Sequence, residues 1–216
     1  MSLYFYIYHS LLFIAIIMSF MAVLKGHKRY LYLAALMSLT LIVELYAEIL
    51  GKKGYDFSWI YHAFNAFEYM LFVFFLLFSV KDSRIQKVIK YSIPIFVIGG
   101  LSISLLLYNF SGFPGLNINI EGFLLFLICT YILFNLEINS RQNILGHSEF
   151  WICTGILIFF GCTFFYNGIY TNIFNLDKAT ALRLFGVLNK PLNIILYSFI
   201  IIGTLCLKIR KKHISQ

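Results

Sequence analysis

The chain has 216 residues, of which 61% are hydrophobic, 19% aromatic and only 12% charged. A soluble domain carries about a quarter charged residues, so these figures exclude an ordinary globular protein, a disordered chain and a collagen-like one. The net charge of +8 suits a basic rim facing anionic lipid headgroups, and no nucleic-acid partner is expected.

A helix needs roughly 20 apolar residues to cross a hydrocarbon core about 30 Å thick. Seven such runs stand between charge and turn clusters, at 3–24, 30–50, 59–80, 91–109, 119–137, 150–173 and 184–207. They predict an all-α integral membrane protein, a single seven-transmembrane-helix domain over 1–216, with the lipid bilayer as its first partner. A transmembrane barrel would instead alternate polar and apolar residues over stretches of about ten. Leu71 to Phe78 and Ile156 to Phe160 are apolar on every side. The N-terminal run lacks the basic start and small-residue cleavage site of a secretory signal and is read as the first span. Cys129, Cys153, Cys162 and Cys206 all fall within spans, without C-x-x-C spacing, and read as packing residues.

Orientation follows from the retention of Lys and Arg on the cytoplasmic side. Twelve of the 17 basic residues lie on one side: Lys25, Lys28 and Arg29; Lys81, Arg84, Lys87 and Lys90; Arg141; and Lys208, Arg210, Lys211 and Lys212. The opposite loops hold Lys52, Lys53, Lys178 and Arg183, and Lys190 lies inside the seventh span. The N-terminus is therefore predicted outside and the C-terminus in the cytoplasm.

Ionisable and amide side chains within spans are costly and usually face the bundle interior, which makes them functional candidates. The first span has Tyr6 and His9 in its outer third. Glu44 and Glu48 share a face near the outer end of the second. His62, Asn65 and Glu68 form a stripe in the outer half of the third. The fifth opens with Asn117, Asn119 and Glu121, the sixth approaches the outer face with Thr163, Tyr166, Asn167 and Tyr170, and the seventh enters with Asn189, Lys190, Asn193 and Tyr197. At a rise of 1.5 Å per residue these groups extend to about 12 Å below the outer interface, with Glu68 the deepest acid. The inner halves are nearly free of polar groups, and Asn135 and Glu137 sit at a helix end. The fourth span has only Ser102 and Ser104 in its middle and reads as peripheral or as a linker, with Gly99-Gly100 suggesting close packing. The asymmetry predicts a water-accessible pocket opening outward, lined by every span except the fourth. Glu44, Glu48, His62, Asn65, Glu68, Glu121, Asn167, Tyr170, Asn189, Lys190, Asn193 and Tyr197 are its candidate ligand-binding residues.

Each has a plainer reading. Glu48 and Glu121 could be solvated among headgroups, Lys190 could snorkel outward, and Asn189-Lys190-Pro191 could mark a helix start. The five histidines, His9, His27, His62, His147 and His213, share no helix face, so neither a metal site nor any other cofactor is expected. Lys190 is too near the outer end for a retinal Schiff base. The spacing of Arg141 and His147 reads as chance, and nucleophile-elbow, phosphate-loop and dinucleotide motifs are absent.

Glu44, the Asn65-Ala66-Phe67-Glu68 step, Phe150-Trp151-Ile152-Cys153-Thr154-Gly155 and Leu192-Asn193-Ile194-Ile195-Leu196-Tyr197 resemble a group of small, uncharacterised seven-transmembrane-helix proteins common in Bacteroidetes. The resemblance implies this topology and a bacterial inner-membrane location. It brings no catalytic residues.

Three function classes remain. The first is a ligand-sensing, receptor-like component whose pocket takes a small molecule or lipid and which signals through a separate cytoplasmic or membrane protein. The second is a small-solute or proton-coupled transporter; against it, the inner half is apolar, and residues 1–80 and 119–207 show no clear repeat. The third is a lipid-modifying enzyme using Glu44 or Glu68 as base, although no nucleophile accompanies them.

Overall fold

Every apolar run becomes a helix, because inside a bilayer only a helix satisfies each backbone group within its own segment. The structure, a computed structural model, describes the backbone of residues 3–55, 57–136, 143–176 and 178–214, and the side chains of 6–55, 57–136, 143–167 and 187–207. The helices are α1 (Leu3–Leu24), α2 (Tyr30–Lys52), α3 (Ser58–Leu77), α4 (Ser83–Leu106), α5 (Gly115–Phe134), α6 (Ser148–Leu176) and α7 (Lys178–Ile214). Seven segments among the described residues are long and apolar enough to cross a membrane.

Two boundaries depart from the sequence reading. α4 begins at Ser83, because the Asp82 side chain caps it, accepting from the backbone N–H of Arg84 at 2.7 Å and of Ile85 at 3.4 Å. Arg84, Lys87 and Lys90 therefore project from helix rather than loop. α7 runs unbroken through Asn189, Lys190 and Pro191, so Pro191 is an interior proline and does not start the helix.

Short turns bring each helix back alongside the previous one. Gly26 and Gly54, at φ +91° and +75°, take up left-handed backbone that residues with a Cβ resist. α1 packs on α2 and α7, α3 on α2, α4 and α5, and α6 on α5 and α7. α4 is the least buried of the seven and stands outside the remaining helices, as expected of a peripheral span. Gly99, however, faces open space, and a Cβ on Gly100 would have only Asn117 Nδ2 nearby, at 3.9 Å. The close approaches lie between α6 and α7. A Cβ on Gly155 would meet Phe199 Cβ at 2.7 Å, and one on Gly203 would meet Ile152 Cγ1 at 2.7 Å. Small residues let two helix backbones approach where lipid supplies no hydrophobic drive.

A continuous apolar core runs through the middle. Leu12, Leu33, Leu36, Phe72, Ile156 and Ile200 are fully buried there, with Phe72 edge-on to Phe160 at 6.2 Å. Cys129, Cys153 and Cys206 are buried and Cys162 is exposed; all four are free thiols.

Candidate functional site

At the bundle end where α1, α3, α5 and α7 begin, a cavity of about 480 Å³ opens between α1, α2, α3 and α7. It adjoins an inner chamber of about 90 Å³, and Tyr8, Glu44, Tyr61, Asn189 and Asn193 line both. Glu48, Lys52, His9 and Lys190 belong to the outer cavity. Thr40, Asn65, Glu68, Thr163 and Tyr197 belong to the chamber, with Phe64, Phe113, Phe159 and Phe160 among its apolar walls. The chamber's walls thus come from α1, α2, α3, α5, α6, α7 and the α4–α5 turn, and α4 itself contributes none.

Helical periodicity decides which side chains reach it. Tyr61, Asn65 and Glu68 recur at i, i+4 and i+7, one face of α3. His62 lies about 100° away from Tyr61, which turns it toward α4. There it is 1% exposed and shares a hydrogen bond with Ser104 Oγ at 2.9 Å. Asn117 of α5 donates to the same Ser104 Oγ at 2.8 Å and to Gly100 O at 3.1 Å. His62 therefore belongs to a buried seam tying α3, α4 and α5, not to the cavity wall.

Glu121 also departs from the expectation. It is fully buried, so solvation among headgroups does not apply, and one of its oxygens accepts from Asn65 Nδ2. It stands behind the chamber, one hydrogen bond from its wall. Asn167 donates to Asn119 Oδ1 at 2.8 Å, a tie between α6 and α5, and Tyr6 is exposed. The side chain of Tyr170, together with Glu137 and Arg141, lies outside the described residues.

The chamber walls hold themselves in place. Tyr8 Oη lies 3.3 Å from Tyr197 Oη, Tyr197 donates to Asn193 Oδ1 at 3.2 Å, and Asn193 Nδ2 donates to Asn189 O at 2.9 Å and Oδ1 at 3.2 Å. Glu48 pairs with Lys52 at 2.8 Å, one helical turn along. Glu44 and Glu68 make no hydrogen bond or ion pair among the described residues, so Lys190 is not bonded to either, although it lines the outer cavity beside Glu44. The α4–α5 turn holds Asn109 and Phe110 at φ 47° and 55°, a costly conformation for a bulky residue. It packs Phe110 and Tyr108 on the His62 ring, at 5.9 and 5.3 Å, and carries Phe113 into the chamber wall.

The opposite end is built differently. Arg29, at the start of α2, forms an ion pair with Glu149 of α6 at 2.6 Å and donates to Ser79 Oγ at 3.1 Å and Ser148 Oγ at 3.4 Å. Burial is the largest single influence and works against the guanidinium charge, but Glu149 and Tyr30 together outweigh it and hold the Arg29 pKa above its ordinary value. Arg29 also stacks over Tyr30 and Phe75 at 5.4 and 5.5 Å, and Tyr30 Oη lies 2.6 Å from Ser148 Oγ. A separate cavity of about 140 Å³ lies between α1 and α7 at this end, lined by Met18, Met21, Lys25, His27, Thr204 and Leu207 among others.

Sequence reasoning missed Tyr8, Thr40, Tyr61 and the phenylalanine walls, because an aromatic or a threonine in an apolar helix carries no signal of its own. For Tyr61 a signal did exist, its i, i+7 spacing from Glu68. The Arg29–Glu149 pair was missed because its residues lie 120 positions apart. Among the described residues no His, Cys, Asp and Glu cluster could hold a metal ion. Comparisons with known family models, curated proteins and solved structures found no match.

Proposed function

We propose that this chain is a ligand-sensing, receptor-like component of a bacterial cytoplasmic membrane, with its pocket facing outward and its signal passed to a separate protein on the cytoplasmic side. The observation that carries the reading is the placement of Glu44 and Glu68, which make no hydrogen bond or ion pair among the described residues, in a cavity that meets the apolar core at its inner end. Groups so expensive to bury persist where they meet a ligand or water. Leu12, Leu36, Phe72 and Ile200, packed in the apolar core about one turn further along their helices, favour sensing over passage of a solute. The sparse Lys and Arg at the pocket end support an outward opening, and the resemblance of the sequence to small bacterial seven-helix proteins supports the location.

α2 and α6 supply the link to the far side. α2 carries Glu44 toward one end and Arg29 at the other, and α6 carries Thr163 in the chamber and Glu149 at the other. A ligand that draws α2, α3 and α6 together at the chamber changes how Arg29 and Glu149 meet, and with them the basic surface offered to a partner.

Solute transport is the second reading, favoured by Pro191. An interior proline removes one helical hydrogen bond, and here it does so beside Asn189, Lys190 and Asn193, a weak point in a continuous helix at the place where transporters that bind at broken helices would open. The test is sidedness. In a Cys162→Ser background, Asn189→Cys in vesicles of known orientation should react with a membrane-impermeant maleimide from the outer face only. Reaction from both faces supports transport, and reaction from neither removes the pocket.

A further inference from the structure

Most donors on the chamber wall are already spent. The Thr40 hydroxyl donates to Leu36 O at 2.9 Å and the Thr163 hydroxyl to Phe159 O, so each offers the chamber only lone pairs. Tyr197 donates to Asn193, which makes Tyr8 the donor in the 3.3 Å contact between the two phenols. The Asn193 amide hydrogens turn onto Asn189. Glu44 and Glu68 add carboxylate oxygens that accept nothing among the described residues. The result is a wall with more open acceptors than open donors, the Tyr61 hydroxyl and the Asn189 amide being the donors not used by a bond above, and with Phe64, Phe113, Phe159 and Phe160 as its apolar part.

We propose that the ligand of this pocket is a primary alkylamine in its ammonium form, held between Glu44 and Glu68. The inference rests on the pocket reading above and names the ligand class for it. A primary ammonium brings three N–H donors and no acceptor, and its charge compensates two half-buried carboxylates that have no hydrogen bond or ion pair among the described residues, Lys190 attracting Glu44 only from the outer cavity. Phe64 and Phe160 line the chamber, and an aromatic ring face attracts the same charge. A quaternary ammonium would use the rings but leave the acceptors unmatched, and an alcohol would leave the charge uncompensated. Lys190 lines the outer cavity and is absent from the chamber wall, so its like charge stands at the mouth rather than at the ammonium position. The ligand's remaining length occupies the wider outer cavity.

The experiment uses the full chain in phosphatidylcholine nanodiscs, with Asn189→Cys in the Cys162→Ser background, and follows maleimide labelling of that cysteine. The probes are n-butylamine, 1-butanol, tetramethylammonium and butyrate at about 10 mM, since so small a ligand binds weakly. Butylamine is expected to slow labelling at least about fivefold (a factor worth about 1 kcal/mol), while the other three leave it within about twofold. Glu68→Gln should abolish the protection, measured against that variant's own unprotected rate; Glu68→Asp, which keeps the charge, should retain part of it and guards against a folding defect. Equal protection by butanol, or protection by butylamine that survives in both Glu44→Gln and Glu68→Gln, overturns the amine assignment while the pocket stands. Labelling without protection by any probe does the same. A cysteine that does not label at all overturns the pocket and the amine assignment together.

Discussion

The two ends of the bundle handle half-buried charge in opposite ways. At one end Glu149 has a guanidinium at 2.6 Å, and that guanidinium also meets two serine hydroxyls and two aromatic rings. At the other end Glu44 and Glu68 face a cavity with no hydrogen bond or ion pair among the described residues, Lys190 acting on Glu44 only across the outer cavity. A satisfied pair is explained by the protein alone: it ties α2 to α6 and α3. Acids without a bonded partner beside empty volume are what the proposed binding reading accounts for. Under that reading the first site is structural and the second binds a ligand, and the two should respond to substitution in opposite ways.

The largest effect is expected at the paired end. Arg29→Ala leaves Glu149 without its counter-charge; removing one partner of a fully buried pair costs about 3–5 kcal/mol, and this partly exposed pair should lose somewhat less. Thermal unfolding in detergent should show a large drop, while Arg29→Ala combined with Glu149→Gln should recover part of it; a drop no smaller in the double variant would mean that the pair is not the source. The helix contact that joins the two ends comes next. Gly155→Leu places a side chain where Phe199 Cβ already lies 2.7 Å from the Cβ position, and such overpacking costs about 1–3 kcal/mol. The same assay measures it, and an unchanged midpoint would show that α6 and α7 separate easily.

Within the pocket the expected losses are small. Tyr197→Phe deletes the hydroxyl that joins Tyr8 to Asn193, and hydrogen bonds between membrane helices average about 0.6 kcal/mol. A loss as large as that of Arg29→Ala would make the phenol network a structural keystone. Glu44→Gln and Glu68→Gln should leave stability unchanged or raise it, because a group kept for binding is commonly held at the expense of stability. If either lowers the unfolding midpoint as Arg29→Ala does, the acids are structural and the contrast between the two ends fails.

The sequence contained the spans and the distribution of polar groups, because both are one-dimensional: apolar length sets the helices, and position along a helix sets depth. Glu44, Glu68, Asn189 and Asn193 reach the cavity as their depth suggested. Depth alone does not fix azimuth. His62 and Glu121 lie at suitable depths but point into the α3–α4–α5 seam and behind the chamber, and only neighbouring helices determine that rotation. The start of α4 turned on a single cap at Asp82, a local signal that hydropathy averages away. Continuity of α7 through Pro191 was likewise not legible, since a proline starts a helix or sits within one according to what packs around it.

The most direct measurement is a cryo-electron microscopy structure of the protein purified with its native lipids and solutes, inspected between Glu44 and Glu68. Density for a small molecule within hydrogen-bonding distance of both carboxylates is the predicted result. A collapsed chamber in which Glu68 is paired with Lys190 would contradict the account.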